Sequence, residues 1–122
     1  MRYLVKAKLK EGKGQQLKKA IDDGTLGKGS IAGKEYIRNM KNARLLEDGT
    51  ATWVEVCFCN PPLAEERPYW EEYFELLQIT NAEIKRSIKY PVCIMYSCVN
   101  CNCTVSQEKE MESWGVSFYE SL

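Results

Sequence analysis

The alternation of side chains over residues 2–10 constrains the fold more than any other feature of this 122-residue chain. One side of the segment carries Tyr3, Val5, Ala7 and Leu9, and the other carries Leu4, Lys6, Lys8 and Lys10. Because successive side chains of a β-strand point to opposite faces, a period of two predicts a half-buried strand.

The next clear signals are a short helix and a hairpin. Apolar residues at helical spacing predict a helix over residues 13–22, and a loop with four glycines follows over residues 24–33. Residues 34–41 fit no single element. Asp48-Gly49 then stands between two strand-like segments, Asn42–Glu47 and Thr50–Cys59, which predicts a hairpin with a two-residue loop.

The second half of the chain predicts a helix, a strand and a final helix. Trp70, Phe74 and Leu77 recur at helical spacing, so we expect a helix over residues 63–79, with Glu65, Glu66, Glu71, Glu72 and Glu75 on its solvated face. Residues 81–88 fit a helix or a strand equally well. A strand over residues 91–97 and a helix from about Ser106 to Phe118 complete the pattern.

The order of strand, helix, strand, strand, helix, strand predicts an α+β fold. It is the ferredoxin-like βαββαβ pattern, an antiparallel sheet with helices on one face. We expect residues 1–97 to form this domain, with a cysteine-rich segment and C-terminal helix over residues 98–122 packed on it.

In this element order, and in its opening Met-Arg-Tyr-Leu-Val-Lys-Ala, the chain resembles the dimeric α+β-barrel proteins of the YciI-like and antibiotic-monooxygenase-like groups. It also resembles conserved proteins of cyanobacterial type. The resemblance implies a homodimer in which two sheets pack together. It implies no chemistry, because the YciI-like group is associated with a His–Asp pair and this chain has no histidine.

Composition excludes several classes of protein. Lysine plus arginine equal aspartate plus glutamate at 17 each, which argues against a general nucleic-acid binder. The absence of histidine rules out Ser-His and Cys-His catalytic pairs and imidazole-ligated zinc. No apolar run approaches the roughly 18 residues of a membrane helix, and the first residues lack a signal-peptide core. We therefore expect a cytoplasmic protein that binds neither membranes nor nucleic acids.

The predicted hairpin places chemically useful side chains on one face of the sheet. A two-residue loop pairs Arg44 with Trp53, which puts Arg44, Trp53 and Glu55 on the face opposite the helices, near Lys6. This face is either the surface on which a partner protomer packs or a pocket for a small anionic ligand. In the pocket, Lys6 and Arg44 would be the anchors and Trp53 a wall.

The six cysteines predict either a metal site or thiols. Zinc accepts four thiolates, and the candidate ligands are Cys57, Cys59, Cys98, Cys101 and Cys103. Inert buried cysteines and a Cys98–Cys101 redox pair are the alternatives. Cys93-x4-Cys98-x2-Cys101 also matches the spacing of plant-type iron–sulfur proteins, without their distant fourth ligand.

These observations favour a dimeric accessory or binding protein with a cysteine cluster that is a candidate site for structural zinc. A small-molecule enzyme that uses the open face of Lys6, Arg44, Trp53 and Glu55 is the alternative, and a thiol redox protein is a third. The sequence does not decide whether the chain is an enzyme.

Overall fold

The structure is a computed structural model that describes residues 2–57, 59–82 and 103–122. The first part of the chain forms β1 (Arg2–Leu9), α1 (Gly14–Asp22), α2 (Gly33–Asn42), β2 (Arg44–Leu45) and β3 (Ala51–Val56). The remainder forms α3 (Arg67–Glu71), β4 (Phe74–Asn81), α4 (Cys103–Met111), β5 (Val116–Ser117) and α5 (Phe118–Ser121).

The strands form one five-stranded sheet in the order β4-β1-β3-β2-β5. Every neighbouring pair is antiparallel, β1 lies between β4 and β3, and β3 is the central strand. The α+β class and the antiparallel sheet predicted from the sequence are therefore confirmed. The alternation in β1 is confirmed as well, because Tyr3, Val5 and Ala7 are all buried in the core.

The hairpin between β2 and β3 has a three-residue loop, and the predicted two-residue loop is wrong. Leu46 and Thr50 close the loop, with Gly49 in the left-handed region at φ 83°. A turn followed by a left-handed glycine is the usual form of a three-residue hairpin loop. The extra residue shifts the register by one, so Arg44 lies opposite Thr52 and not opposite Trp53.

The predicted helix over residues 63–79 is also wrong. Only Arg67–Glu71 is helical, and from Phe74 the chain forms β4, which pairs with β1 along its length. Leu77 is the extra residue of a bulge, since Leu76 lies opposite Ala7 and Gln78 lies opposite Lys6. Trp70, Phe74 and Leu77 therefore do not form one helical face: they belong to two different elements, and Leu77 is exposed while the other two are buried.

A chain of aromatic rings forms the centre of the core between the sheet and the helices. Neighbouring centroids lie 4.8–5.7 Å apart in the order Tyr69, Tyr36, Trp70, Trp53, Phe74 and Phe118. The planes are tilted by 44–52°, in the range of the inclined and edge-to-face arrangements that aromatic pairs prefer. Trp53 of β3 and Trp70 of α3 thus fix the short helix against the middle of the sheet.

The C-terminal residues add the fifth strand. The predicted helix over residues 106–118 is instead α4 from Cys103 to Met111, followed by β5 and α5. Gly115 allows β5 to reach β2, because a Cβ at this position would lie 1.9 Å from the carbonyl oxygen of Leu45. The predicted domain boundary at residue 97, the strand over residues 91–97 and residues 83–88 lie outside the described residues.

Within the part of the chain that the structure describes, no helix combines the length and the apolar character needed to cross a bilayer.

Candidate metal centre

Two thiols and one carboxylate meet where β3 ends. The Sγ atoms of Cys57 and Cys59 and a carboxylate oxygen of Glu66 all lie within 4.8 Å of one another. The Cys57 Sγ is 3.3 Å and the Cys59 Sγ 3.7 Å from the same Oε2 atom of Glu66. The backbone N–H of Cys59 also donates to the Cys57 Sγ at 3.1 Å.

The segment between Cys59 and α3 brings Glu66 back to the thiols. Leu63 is fully buried and adopts a positive φ of 61°, and its carbonyl accepts from the N–H of Arg67 at 2.8 Å. A branched residue in this conformation is strained, so the surrounding packing must hold it there. Anchored in this way, the segment places Glu66 at the N-cap of α3, directly over Cys57 and Cys59.

The cluster is largely removed from water. Cys57 is 2% exposed and Glu66 is 6% exposed, while Cys59 is half-buried. Burial is the main reason that the pKa of Cys57 is raised to about 12; side-chain hydrogen bonding with Cys59 and Glu66 raises it further, and the backbone N–H groups of Cys59 and Leu63 limit the rise. A bound cation reverses this preference, because a thiol that coordinates a metal is deprotonated.

Glu55 is a second buried carboxyl group, two residues before Cys57 on the same face of the strand. It is 2% exposed and accepts hydrogen bonds from the Nε1 atoms of Trp53 at 3.1 Å and Trp70 at 2.9 Å. Burial raises the pKa of Glu55 to about 7, and the two indole hydrogen bonds limit that rise. The ionised form therefore depends on Trp53 and Trp70.

A cleft of about 550 Å³ lies over these groups, between α2 and the end of β3. All three members of the Cys57–Cys59–Glu66 cluster line it, so the donor atoms face a space that a ligand can enter. Glu55 and the Asn39 side chain of α2 line the same cleft.

The structure does not bring the four predicted ligand-binding residues together. Val5 lies opposite Trp53 and Lys6 lies opposite Thr52, so Trp53 and Glu55 face the helices while Lys6 and Arg44 point away from them. The predicted face is therefore wrong for Trp53 and Glu55, while Lys6 and Arg44 lie on the face predicted for them. Trp53 faces the helices because it packs on Trp70 in the aromatic core.

Lys6 and Arg44 have other contacts on their face of the sheet. The Lys6 Nζ lies 2.9 Å from the Oδ2 atom of Asp48. The Arg44 guanidinium donates to the carbonyl oxygens of Glu112, Trp114 and Gly115 at 2.9–3.3 Å, which fastens the chain after α4 beside β2.

Two of the five predicted metal-ligating cysteines belong to the cluster. Cys57 and Cys59 meet, as their spacing on a strand predicts, and both are thiols. Cys98 and Cys101 lie outside the described residues, and only the backbone of Cys103 is described, at the start of α4. The next residue, Thr104, accepts a hydrogen bond from Arg2 at 2.8 Å, which places the start of α4 beside the end of β3.

Sequence reasoning missed Glu66 and Asn39. Glu66 lies inside an acidic run, and the predicted helix over residues 63–79 would place it on the solvated face. The observed helix α3 is shorter and begins directly after Glu66. Asn39 lies on the buried side of α2 with Tyr36 and Met40. The available signal was its position in the sequence. Asn39 follows Tyr36 by three residues and directly precedes Met40, which is the spacing of residues on one face of a helix.

No family model, no curated protein and no solved structure matches this chain.

Proposed function

We propose that this chain is a small zinc-binding protein in which Cys57, Cys59 and Glu66 hold the metal. The observation that carries the proposal is the convergence of three ligand atoms within 4.8 Å of one another, from residues separated by up to nine positions. Zinc–ligand distances of roughly 2.0–2.3 Å in a tetrahedral arrangement place ligand atoms about 3.3–3.8 Å apart. The cluster is thus near the size that zinc requires.

The chemistry of the donors selects zinc among common metals. Thiolates are soft ligands that bind calcium and magnesium poorly, since these ions take oxygen donors. A carboxylate is a poor ligand for copper(I), which prefers sulfur. Zinc accepts both donor types, and in a chain without histidine thiolate and carboxylate are the zinc ligands available.

We further propose that the sheet is ferredoxin-like. Two observations support this proposal. The elements follow one another as β1, a helical segment, β2, β3, a helix and β4, and the sheet has the strand order β4-β1-β3-β2 with antiparallel neighbours. In this proposal α2 is an additional helix, and β5 extends the sheet beyond β2. The metal cluster then lies where the second split βαβ unit leaves β3 for α3.

Metal analysis of the full chain, purified without chelators, tests the proposed function. We expect about one zinc per chain, and cobalt(II) in its place should give the intense near-ultraviolet absorption of thiolate-to-metal charge transfer. Cys57→Ser and Cys59→Ser should each weaken this absorption, and Glu66→Gln should lower the metal affinity.

Glu72→Gln is the matched control for Glu66→Gln, because Glu72 is an exposed carboxylate outside the cluster. It should bind metal like the wild type. Metal-free protein that binds neither zinc nor cobalt, or a Cys57→Ser, Cys59→Ser double variant with unchanged affinity, would overturn the proposal.

A further inference from the structure

We propose that the cleft beside the cluster binds a small organic cation whose donor atom completes the coordination of the metal. This inference rests on the zinc site proposed above and names the ligand class of that site. It follows from four observations on the described residues: three ligand atoms where a closed zinc site has four, a buried amide without a partner, an acidic lining and an apolar rim.

The described side chains supply three ligands, and all three line the cleft. Zinc sites that only stabilise a fold are closed by four protein ligands, whereas sites that act on small molecules keep one position for water or substrate. Because the three donors face the cleft, its interior is the natural location of the fourth position.

The Asn39 amide gives the clearest sign of a ligand. Its side chain is 3% exposed and lines the cleft, and within residues 2–57, 59–82 and 103–122 it has no hydrogen-bond partner. A buried amide without a partner is costly, so it is retained where a bound molecule satisfies it. Asn39 can both donate to and accept from a ligand in the cleft.

The charge of the cleft selects a cation. Its lining includes Glu35, Glu65 and Glu66, and none of the described residues that line it is a lysine or an arginine. Two thiolates and one carboxylate also exceed the charge of a divalent metal by one. An anionic ligand would therefore meet repulsion from every side.

The two exposed carboxylates of the lining, Glu35 and Glu65, can still accept a ligand. Glu65 accepts only a long hydrogen bond from Ser30, at 3.4 Å, and Glu35 lies 3.9 Å from Arg38. Both are exposed, so an ammonium group at the rim can pair with either of them.

The rim also offers apolar contact. Ile31 is 98% exposed and Val56 is 41% exposed, and both line the cleft. A volume of about 550 Å³ suits a small molecule, since ligand pockets span roughly 300–1,000 Å³. The expected ligand therefore has an ammonium group, a short apolar body and one neutral nitrogen or sulfur donor.

Three 4-substituted imidazole probes, one cationic, one neutral and one anionic in its substituent, test this inference on cobalt-loaded full-length protein. The probes are histamine, 4-methylimidazole and imidazole-4-acetate, and imidazole is a good ligand for zinc and cobalt. We expect each bound probe to change the visible cobalt bands. Histamine should bind roughly tenfold more tightly than imidazole-4-acetate, as one favourable and one unfavourable charge contact imply.

Two sets of variants separate the contribution of Asn39 to histamine binding from that of Glu35 and Glu65. Asn39→Leu should keep the cobalt bands of the unliganded site and weaken histamine binding roughly tenfold, as loss of a hydrogen bond predicts. The Glu35→Gln, Glu65→Gln double variant should remove the preference for histamine and leave 4-methylimidazole binding unchanged. Asn42→Leu, on the exposed side of the same helix, should bind histamine like the wild type.

The outcomes distinguish this inference from the proposed function. If cobalt does not bind at all, the zinc site itself is wrong. If cobalt binds but no probe changes its bands, a protein ligand closes the site and the inference fails. Tightest binding of imidazole-4-acetate, or unchanged histamine binding in Asn39→Leu, would also overturn it.

Discussion

At the scale of single residues, the region around the cluster places two polar groups where a core would ordinarily be apolar. Glu55 is held by two indole N–H groups, and Asn39 has no partner among the described residues. A buried carboxyl group and a buried amide of this kind reduce the stability of the protein in the absence of a ligand. Such a loss of stability is common at binding sites. The effect of each group on the free energy of unfolding can be measured.

Glu55 should make the stability of the metal-free protein depend on pH. Its pKa is about 7 in the folded chain against 4.5 ordinarily, so between these values the folded state holds a proton that the unfolded state has lost. Stability should therefore fall as the pH rises through this window, by about 3 kcal/mol in total. Urea denaturation at a series of pH values in the presence of a chelator measures this.

The variant Glu55→Gln should remove this pH dependence. One amide oxygen in place of Oε2 can accept from both Trp53 and Trp70, so the variant should stay folded. An equally steep loss of stability in Glu55→Gln would assign the dependence to another group.

Asn39→Leu should raise the stability of the metal-free protein by about 1–3 kcal/mol, because it removes a buried amide that lacks a partner. Leucine is also a better helix former than asparagine, and Asn42→Leu in the same helix corrects for that gain. Thermal unfolding of both variants gives the comparison. A loss of stability in Asn39→Leu would mean that the amide contributes to the fold.

At the scale of elements, the sequence predicts those segments whose pattern is local. The alternation of β1 and the apolar face of α1 led to nearly correct bounds, and Asp48-Gly49 correctly marked a hairpin. The bulge at Leu77 and the left-handed Gly49 each change a register by one residue. One extra residue exchanges the two faces of a strand, so the pocket predicted around Arg44 and Trp53 was not found.

For the same reason, the two thiols of the candidate site could be predicted from the sequence and its carboxylate could not. Cys57 and Cys59 are two residues apart directly after β3, and that short separation in the sequence, a local property, brings their thiols close together. The approach of Glu66 depends on the positive φ of Leu63 and on packing of Trp70, and neither leaves a periodic pattern in the sequence.

Gly115→Ala should detach β5 and reduce stability by roughly 2–4 kcal/mol. The added Cβ would meet the Leu45 carbonyl, and the residue also has a positive φ of 51°. Gly12→Ala is the control, since Gly12 has a φ of 77° but nothing within 4 Å of its Cβ position. It should cost only about 1–2 kcal/mol. Equal losses in chemical denaturation would show that contact with Leu45 is unimportant.

At the scale of the whole molecule, zinc binding and folding should be linked. The cluster joins the end of β3 to the start of α3, so a bound ion restrains two elements that the unfolded chain leaves far apart. Metal that binds only the folded state stabilises it by about 2.7 kcal/mol when the free metal is 100-fold above its dissociation constant.

Zinc binding near neutral pH should release at least one proton. The pKa of Cys57 is about 12 without metal, so its thiol is protonated until the ion displaces that proton. Calorimetric titration in two buffers of different ionisation enthalpy counts the protons, and the affinity should rise with pH. A binding enthalpy that is identical in both buffers would exclude thiolate formation.

The homodimer implied by the resemblance stays a prediction. The face of β1 that carries Leu4, Lys6 and Lys8 ranges from half-buried to exposed in the single chain. Sedimentation velocity of the full chain over a range of concentrations should give twice the monomer mass, and a constant 14.0 kDa would contradict the prediction.

The hydrogen bonds of Glu55 give the protein a built-in optical indicator. Two of its three tryptophans donate to this single carboxyl group, two residues from a proposed metal ligand. Ionisation of the group changes the local field at both indole rings at once, and emission from these fluorophores responds to that field. We therefore expect metal bound at the proposed site to change the intrinsic fluorescence, which would report occupancy without any attached dye.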